Sequence, residues 1–444
     1  MRKPRLVIVS VVAACLTALP VAFAIGARTA SGPSPTDLAL LDGVIQLVER
    51  AYVRPVDSHT LTKDALKGML TRLDPHSDYM DQQEFKQSEA DISGKFGGLG
   101  IEITEEQGVP KVISPIDGTP AAHAGLQPGD LIVQIEGQST QGMDLSKVVR
   151  ELRGKPGTSV KITVARGTKA PFDVSITRSI IEVQTVKSEL KPNGIGYVRI
   201  SQFGGDTAKD FKDALQKMKG EAGGQIKGLV LDLRSDPGGL LAAAVAVASD
   251  FLDSGTVVTI KGRRADDNHA YSVTGSGDII KNTPVVVLIN GASASASEIV
   301  AGALQDRHRA TIMGTQSFGK GSVQTIIPLN GHGALRLTTA LYYTPAGRSI
   351  QGQGITPDVV VDAPKDQQVE GALMPSESTL QGAFHNPGSL GKGNEQDKSQ
   401  QAAAAPKKPP SPPIKTQLIG TPDDAQLKAA LEYVGRSAGV TGRG

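Results

Sequence analysis

The stretch Leu229-Val230-Leu231-Asp232-Leu233-Arg234-Ser235-Asp236-Pro237-Gly238-Gly239-Leu240 decides the fold. Its apolar start reads as a strand, Pro-Gly-Gly as a tight turn, and residues 240–252 as a helix. The alternation repeats on both sides. Strand-like 195–200 precedes a helical pattern over 208–218, and strand-like 285–289 leads into a helix over 298–305. Strands alternating with helices are the pattern of βαβ units, so residues 183–364 predict an α/β layer.

Upstream, residues 94–182 change character. Glycines punctuate short β-like runs at 99–104, 131–135 and 160–164, with one helix expected at 145–152, which predicts a compact, mostly β module. Residues 36–93 form a helical N-terminal region, with Leu38, Leu41, Ile45 and Val48 at helical spacing. Downstream, residues 365–415 lose periodicity and collect Gln, Ala, Pro, Lys and Ser, which reads as a disordered linker. In the final segment, 416–444, Leu427, Leu431 and Val434 predict a short helix that docks back.

The first 27 residues predict export. Arg2, Lys3 and Arg5 precede an apolar run from Leu6 to Ile25, and Ala22-Phe23-Ala24 fits a small-x-small cleavage site. An uncleaved inner-membrane anchor is the alternative. Either way the chain is expected to be periplasmic or to face the periplasm. With 47 basic against 45 acidic residues, no nucleic-acid partner is implied. The single cysteine, Cys15, lies in the apolar run, so no disulfide or cysteine-based metal site is expected in the folded body. The seven histidines show no zinc-binding spacing, and neither metal nor cofactor is expected.

The chemistry lies in two segments of the α/β layer. Ser293-Ala294-Ser295-Ala296-Ser297-Glu298 offers hydroxyl nucleophiles, and Phe318-Gly319-Lys320-Gly321-Ser322-Val323-Gln324 offers a lysine. A serine hydroxyl needs a base, and a lysine serves only if burial leaves it neutral. Spacing does not choose among the three serines. Ser295-x-x-Glu298 also reads as a helix capping box, which is compatible with a nucleophile beside free N–H groups. Gly314-x-x-x-x-Gly319-Lys320 is close to a phosphate-binding loop, but Gly321 stands where Ser or Thr is required and a strand follows. The Gly238-Gly239 turn could supply half of an oxyanion hole.

Seven tracts in one order then converge: Leu73-Asp74-Pro75-His76-Ser77, Phe96-Gly97-Gly98-Leu99-Gly100-Ile101, residues 120–130, residues 231–240, Ser293 to Glu298, Phe318 to Gln324, and Tyr343-Thr344-Pro345-Ala346-Gly347. Over residues 36–361 the chain resembles the C-terminal processing peptidases, or tail-specific proteases. The resemblance implies a crotonase-like α/β protease core with an inserted PDZ domain and a helical N-terminal region. It implies Ser295 as nucleophile, Lys320 as base, Gln324 as orienting amide, and oxyanion donors at Gly239 and Ala296. Lys320 and Gln324, four apart, would face one side of an extended strand. The PDZ domain would hold a substrate C-terminus on the backbone of Gly98, Leu99, Gly100 and Ile101. Expected partners are protein or peptide C-termini, a lipoprotein-type adaptor and further copies of the chain. The competing functions are a catalytically idle PDZ scaffold and a crotonase-like acyl-CoA enzyme. Retention of both Ser295 and Lys320 argues against the first, and export against the second.

Overall fold

The computed structural model describes residues 32–116, 118–369, 375–387 and 412–439, so the export segment lies outside the described residues. The core is a six-stranded sheet in the order Val186–Lys191, Ile195–Ile200, Gly228–Asp232, Val285–Ile289, Thr311–Gly314 and Val359–Val360. The first pair is antiparallel and the remaining pairings are parallel. Every residue of Gly228–Asp232 and Val285–Ile289 is buried, as strands covered on both faces must be. Leu229, Leu231, Val285 and Val287 pack on the side of helices Thr207–Glu221, Leu241–Ser249 and Ala296–Asp306. Val230, Val286 and Leu288 pack against Leu427, Ala430 and Val434 of helix Ala425–Ser437. The C-terminal helix is therefore part of the core and explains why these strands are apolar without interruption.

A second, antiparallel sheet runs Asp78–Met80, Ala334–Tyr343, Thr256–Gly262, His269–Ser272, with Ser322–Pro328 also paired to Ala334–Tyr343. It carries the lysine segment. The inserted module has its own antiparallel sheet, ordered Ile101–Glu106, Val109–Pro115, Leu131–Ile135, Ser159–Ala165 and Phe172–Thr177. Helix Leu145–Leu152 closes its separate core through Val148 and Leu152 against Val112, Ile132 and Ile162. Lys95–Gly98 pairs with Ser179–Glu182 where the chain enters and leaves the module.

At the N-terminus, helix Pro35–Ala51 starts at a Ser34–Asp37 capping box and buries none of its residues. Residues 365–415 correct the linker reading in part. Within them, 375–387 is a packed segment in which Glu377 is fully buried and donates its N–H to Phe318 O. Asn386 Nδ2 donates to the carbonyls of Ser349 and Gln351. Polar hydrogen bonds hold this segment, so no apolar period marks it.

Candidate active site

The hydroxyl partners separate the three serines. Ser293, fully buried, donates to Leu233 O at 2.8 Å and accepts Asn290 N–H at 2.9 Å. Ser297, also fully buried, donates to Asp236 O at 3.0 Å. Both hydroxyls hold backbone in place. Ser295 is different: it sits at the N-terminus of helix Ala296–Asp306 with φ 54° and ψ −111°. Such a backbone costs about 1–3 kcal/mol and persists only where the surroundings over-determine it. Here Ala294 N–H donates to Asp236 O, Ile299 N–H to Ser295 O, and Phe318 N–H to Ser293 O. Burial pushes the phenol of Tyr342, a neighbour of Ser295, up to about 12.

Glu298, one helical turn on, ties the two segments together. Its Oε2 accepts Ser295 N–H at 2.8 Å and Lys320 N–H at 2.9 Å. Its Oε1 accepts Gly319 N–H at 2.7 Å and the Ser317 hydroxyl at 2.5 Å. Complete burial pushes this carboxyl up to about 7 against the pull of those four donors. The arrangement fixes the backbone of Ser295 and Lys320 on one carboxylate oxygen. Lys320 itself is largely withdrawn from water, and burial lowers its pKa below the ordinary lysine value. Glu377, Glu298 and Asp74 oppose that shift, and Arg336 adds to it.

The Gly238-Gly239 turn touches the same backbone. A Cβ on Gly238 would stand 2.8 Å from Ala296 N and from Ser295 Cβ, and φ there is +99°. A Cβ on Gly239, at φ +143°, would strike Phe203 O at 2.2 Å. Only glycines permit this approach. Gly238 N–H donates to Asp236 Oδ1 and Leu240 N–H to Phe203 O. Among the described residues, the N–H groups of Gly239 and Ala296 carry no such bond.

Asp236 was not singled out by sequence reasoning. Its side chain is fully buried, and Oδ2 lacks a hydrogen-bond partner. Burial raises its pKa from 3.8 to about 7. A carboxyl whose pKa is raised on folding stabilises least when ionised, so stability falls as pH rises from about 4 through about 7. Asp236→Asn is expected to gain up to about 4 kcal/mol at pH 8 and to gain nothing at pH 4. Urea unfolding at both pH values measures this, and an equal effect at both would exclude the ionised carboxyl as its source.

Gln324 and Lys320 do not share one uninterrupted strand. The strand starts at Ser322, two residues after Lys320, and a bulge falls between Val323 and Gln324. The Gln324 amide donates to Ser322 Oγ at 2.9 Å and Thr338 Oγ1 at 3.2 Å. Thr338 Oγ1 in turn donates to Asp74 Oδ1 at 3.0 Å. Gly98, Leu99, Gly100 and Ile101 stand apart from these residues, in the inserted module. Leu99 O accepts Ala121 N–H, and Gly100 O accepts Ile116 N–H and the Thr119 hydroxyl. Gly100 has φ +78°, and a Cβ there would meet Thr119 at 2.3 Å. The loop carbonyls therefore point into the module.

Comparison with known proteins agrees with this layout. Residues 194–361 match peptidase family S41, residues 111–166 match a PDZ domain, and residues 25–84 match the activating protease CtpB N-terminal domain. A carboxy-terminal-processing protease of Bartonella bacilliformis is 45% identical over 400 residues, covering 89% of this chain and 88% of the relative. A probable CtpA-like serine protease of Staphylococcus aureus is 37% identical over 357 residues, covering 79% and 70%. Among solved structures, a photosystem II D1 C-terminal processing protease is similar at 30% identity and a TM-score of 0.44. It covers 73% of this chain and 92% of that one.

Proposed function

The chain belongs to the carboxy-terminal-processing proteases of peptidase family S41, and on that premise we propose a Ser295–Lys320 endopeptidase, exported from the cytoplasm, that cleaves proteins near their C-termini. The observation that carries this reading is the single Glu298 oxygen accepting both the Ser295 and the Lys320 N–H. It explains how a strained serine and a half-buried lysine are kept in one place without a histidine. In the reaction, neutral Lys320 Nζ takes the Ser295 proton as Oγ bonds to the scissile carbonyl carbon. The carbonyl π pair moves to oxygen, where the N–H groups of Gly239 and Ala296 stabilise it. The Lys320 ammonium returns the proton to the departing amine as the C–N bond breaks. Water, deprotonated by Lys320, then cleaves the Ser295 ester, and the proton returns to Ser295 Oγ.

The PDZ domain serves to present the substrate C-terminus. Ile101–Glu106 is an edge strand, so a peptide can add to it by main-chain hydrogen bonds, with its carboxylate toward Gly98–Ile101. Gln324 is assigned as the orienting amide on the family likeness, and its own amide is held by Ser322 and Thr338. Export rests on the basic and apolar N-terminal segment, and assembly with further copies rests on the family likeness. The test is cleavage of an unfolded protein substrate by the full chain and by Ser295→Ala. Loss of all cleavage in the variant, with unchanged melting temperature, is expected; retained cleavage would end the assignment.

A further inference from the structure

One buried acid beside the lysine loop has no part in the reaction just described. Glu377, in the 375–387 segment, is fully buried, with both carboxylate oxygens at 2.9–3.0 Å from His76 Nε2. It also accepts Gln351 Nε2 at 2.9 Å. Gln351, itself fully buried, accepts Gly321 N–H on Oε1 at 3.0 Å and donates to Phe384 O at 3.2 Å. Glu377 N–H donates to Phe318 O at 3.0 Å. Chain on both sides of Lys320 is thus bonded to this segment, directly at Phe318 and through Gln351 at Gly321. His76 follows Asp74, whose carboxylate holds the 74–77 turn through the Ser77 hydroxyl and the N–H groups of His76 and Ser77.

We propose that residues 375–387 clamp the Lys320 loop, and that Glu377, held by His76 and Gln351, is the positioning residue that sets the protonation state of Lys320. The proposal rests on Lys320 being the general base. A carboxylate in a buried setting favours the ammonium form of a nearby lysine. The charged groups acting on Lys320 are Glu377 from this segment, Glu298 from helix Ala296–Asp306, Asp74 from the 74–77 turn and Arg336 from strand Ala334–Tyr343. Of the three carboxylates, Glu377 has the largest influence. Bonded to Glu377 itself are His76 and the neutral Gln351, and Lys320 feels its charge. Burial alone would leave Lys320 neutral at lower pH; Glu377 restrains that tendency and so places the acid limit of activity.

Glu377→Gln keeps the shape and the hydrogen-bonding partners while removing the charge. The acid limb of kcat/KM is expected to move down by about one pH unit, giving about ten-fold more activity at a fixed acid pH. The midpoint for acetylation of Lys320 by acetic anhydride, read by mass spectrometry of its peptide, should fall in parallel. That second readout needs no turnover. A shifted midpoint with no cleavage by either protein would support the clamp while ending the peptidase reading. A uniform fall in kcat/KM with an unmoved acid limb and midpoint would show a merely structural glutamate and overturn the proposal. If Glu377→Gln does not fold, Glu377→Asp, which draws the charge back by one methylene, should shift the midpoint part of the way; an unmoved midpoint there overturns it equally.

Discussion

Lys320→Met is expected to lower peptide-bond cleavage by at least about a thousand-fold while raising the melting temperature at pH 7. The two effects have one cause. Burial lowers the Lys320 pKa from 10.5, and the neighbouring carboxylates do not fully reverse this. Between the folded value and 10.5 the unfolded chain binds more protons than the folded one, so stability rises with pH across that window. Below the window the charged lysine is a standing destabilisation, and methionine of similar length removes it. The stability gain should therefore shrink toward pH 10. The lost proton acceptor has the opposite consequence, because Ser295 Oγ is then attacking without a base. Melting curves from pH 6 to 10 beside rates on an unfolded substrate measure both. If activity and stability fall together, Lys320 is scaffold and not base.

Local signals made much of this legible. The strand-like stretches Ile195–Ile200 and Val285–Ile289 and the short helix read at Leu145–Leu152 each form at the bounds read from the sequence. The helix read at 240–252 runs Leu241–Ser249 and ends at Asp250, whose N–H donates to the carbonyls of Ala246 and Val247. The candidate site was legible as types and spacing but not as geometry. Spacing did not choose among three serines two residues apart; the family resemblance pointed to Ser295, and the carbonyl partners of Ser293 and Ser297 give those two hydroxyls a structural role. The uninterrupted strand assumed between Lys320 and Gln324 is not formed, because pairing starts at Ser322 and a register shift follows Val323, neither of which is written in the sequence pattern. Glu377 was invisible for a different reason. It is one glutamate in a polar stretch, and its meaning comes from His76, 301 residues away. Asp424 likewise gains its role from Arg234, 190 residues distant. Pairings of that length follow from the closed fold, and no periodicity announces them.

That last pairing yields the largest expected loss of stability, from Arg234→Met. Arg234 is fully buried, and its guanidinium bonds Asp232 through Nε and Nη2 at 2.9 and 2.6 Å. It bonds Asp424 through Nη1 and Nη2 at 2.9 and 2.6 Å, and Gln426 Oε1 at 3.0 Å. Both aspartates are fully buried. Asp424 also caps helix Ala425–Ser437 by accepting Leu427 N–H, so the guanidinium links the cap of the C-terminal helix to the end of strand Gly228–Asp232. Methionine leaves two buried carboxylates without the guanidinium between them; among the described residues Arg199, 3.9 Å from Asp232, is the remaining cation paired with either. Removing one partner of a buried network costs about 3–5 kcal/mol, and two stranded charges put this variant at the upper end. The pH dependence should invert. In the native chain burial opposes ionisation of Asp232, but Arg234 holds its carboxyl below 3.8, so its contribution is present above that pH and is lost as pH falls through the folded value. Without the guanidinium a carboxyl must take up a proton to stay buried. Its folded pKa then lies above 3.8, and stability falls as pH rises from about 4. Arg234→Met should thus be more stable at pH 5 than at pH 8, and adding Asp424→Asn should restore part of the loss by removing one of the stranded charges. Urea unfolding of the single and double variants at both pH values measures this. A loss independent of pH that the second substitution deepens would mean the network acts through packing and not through charge.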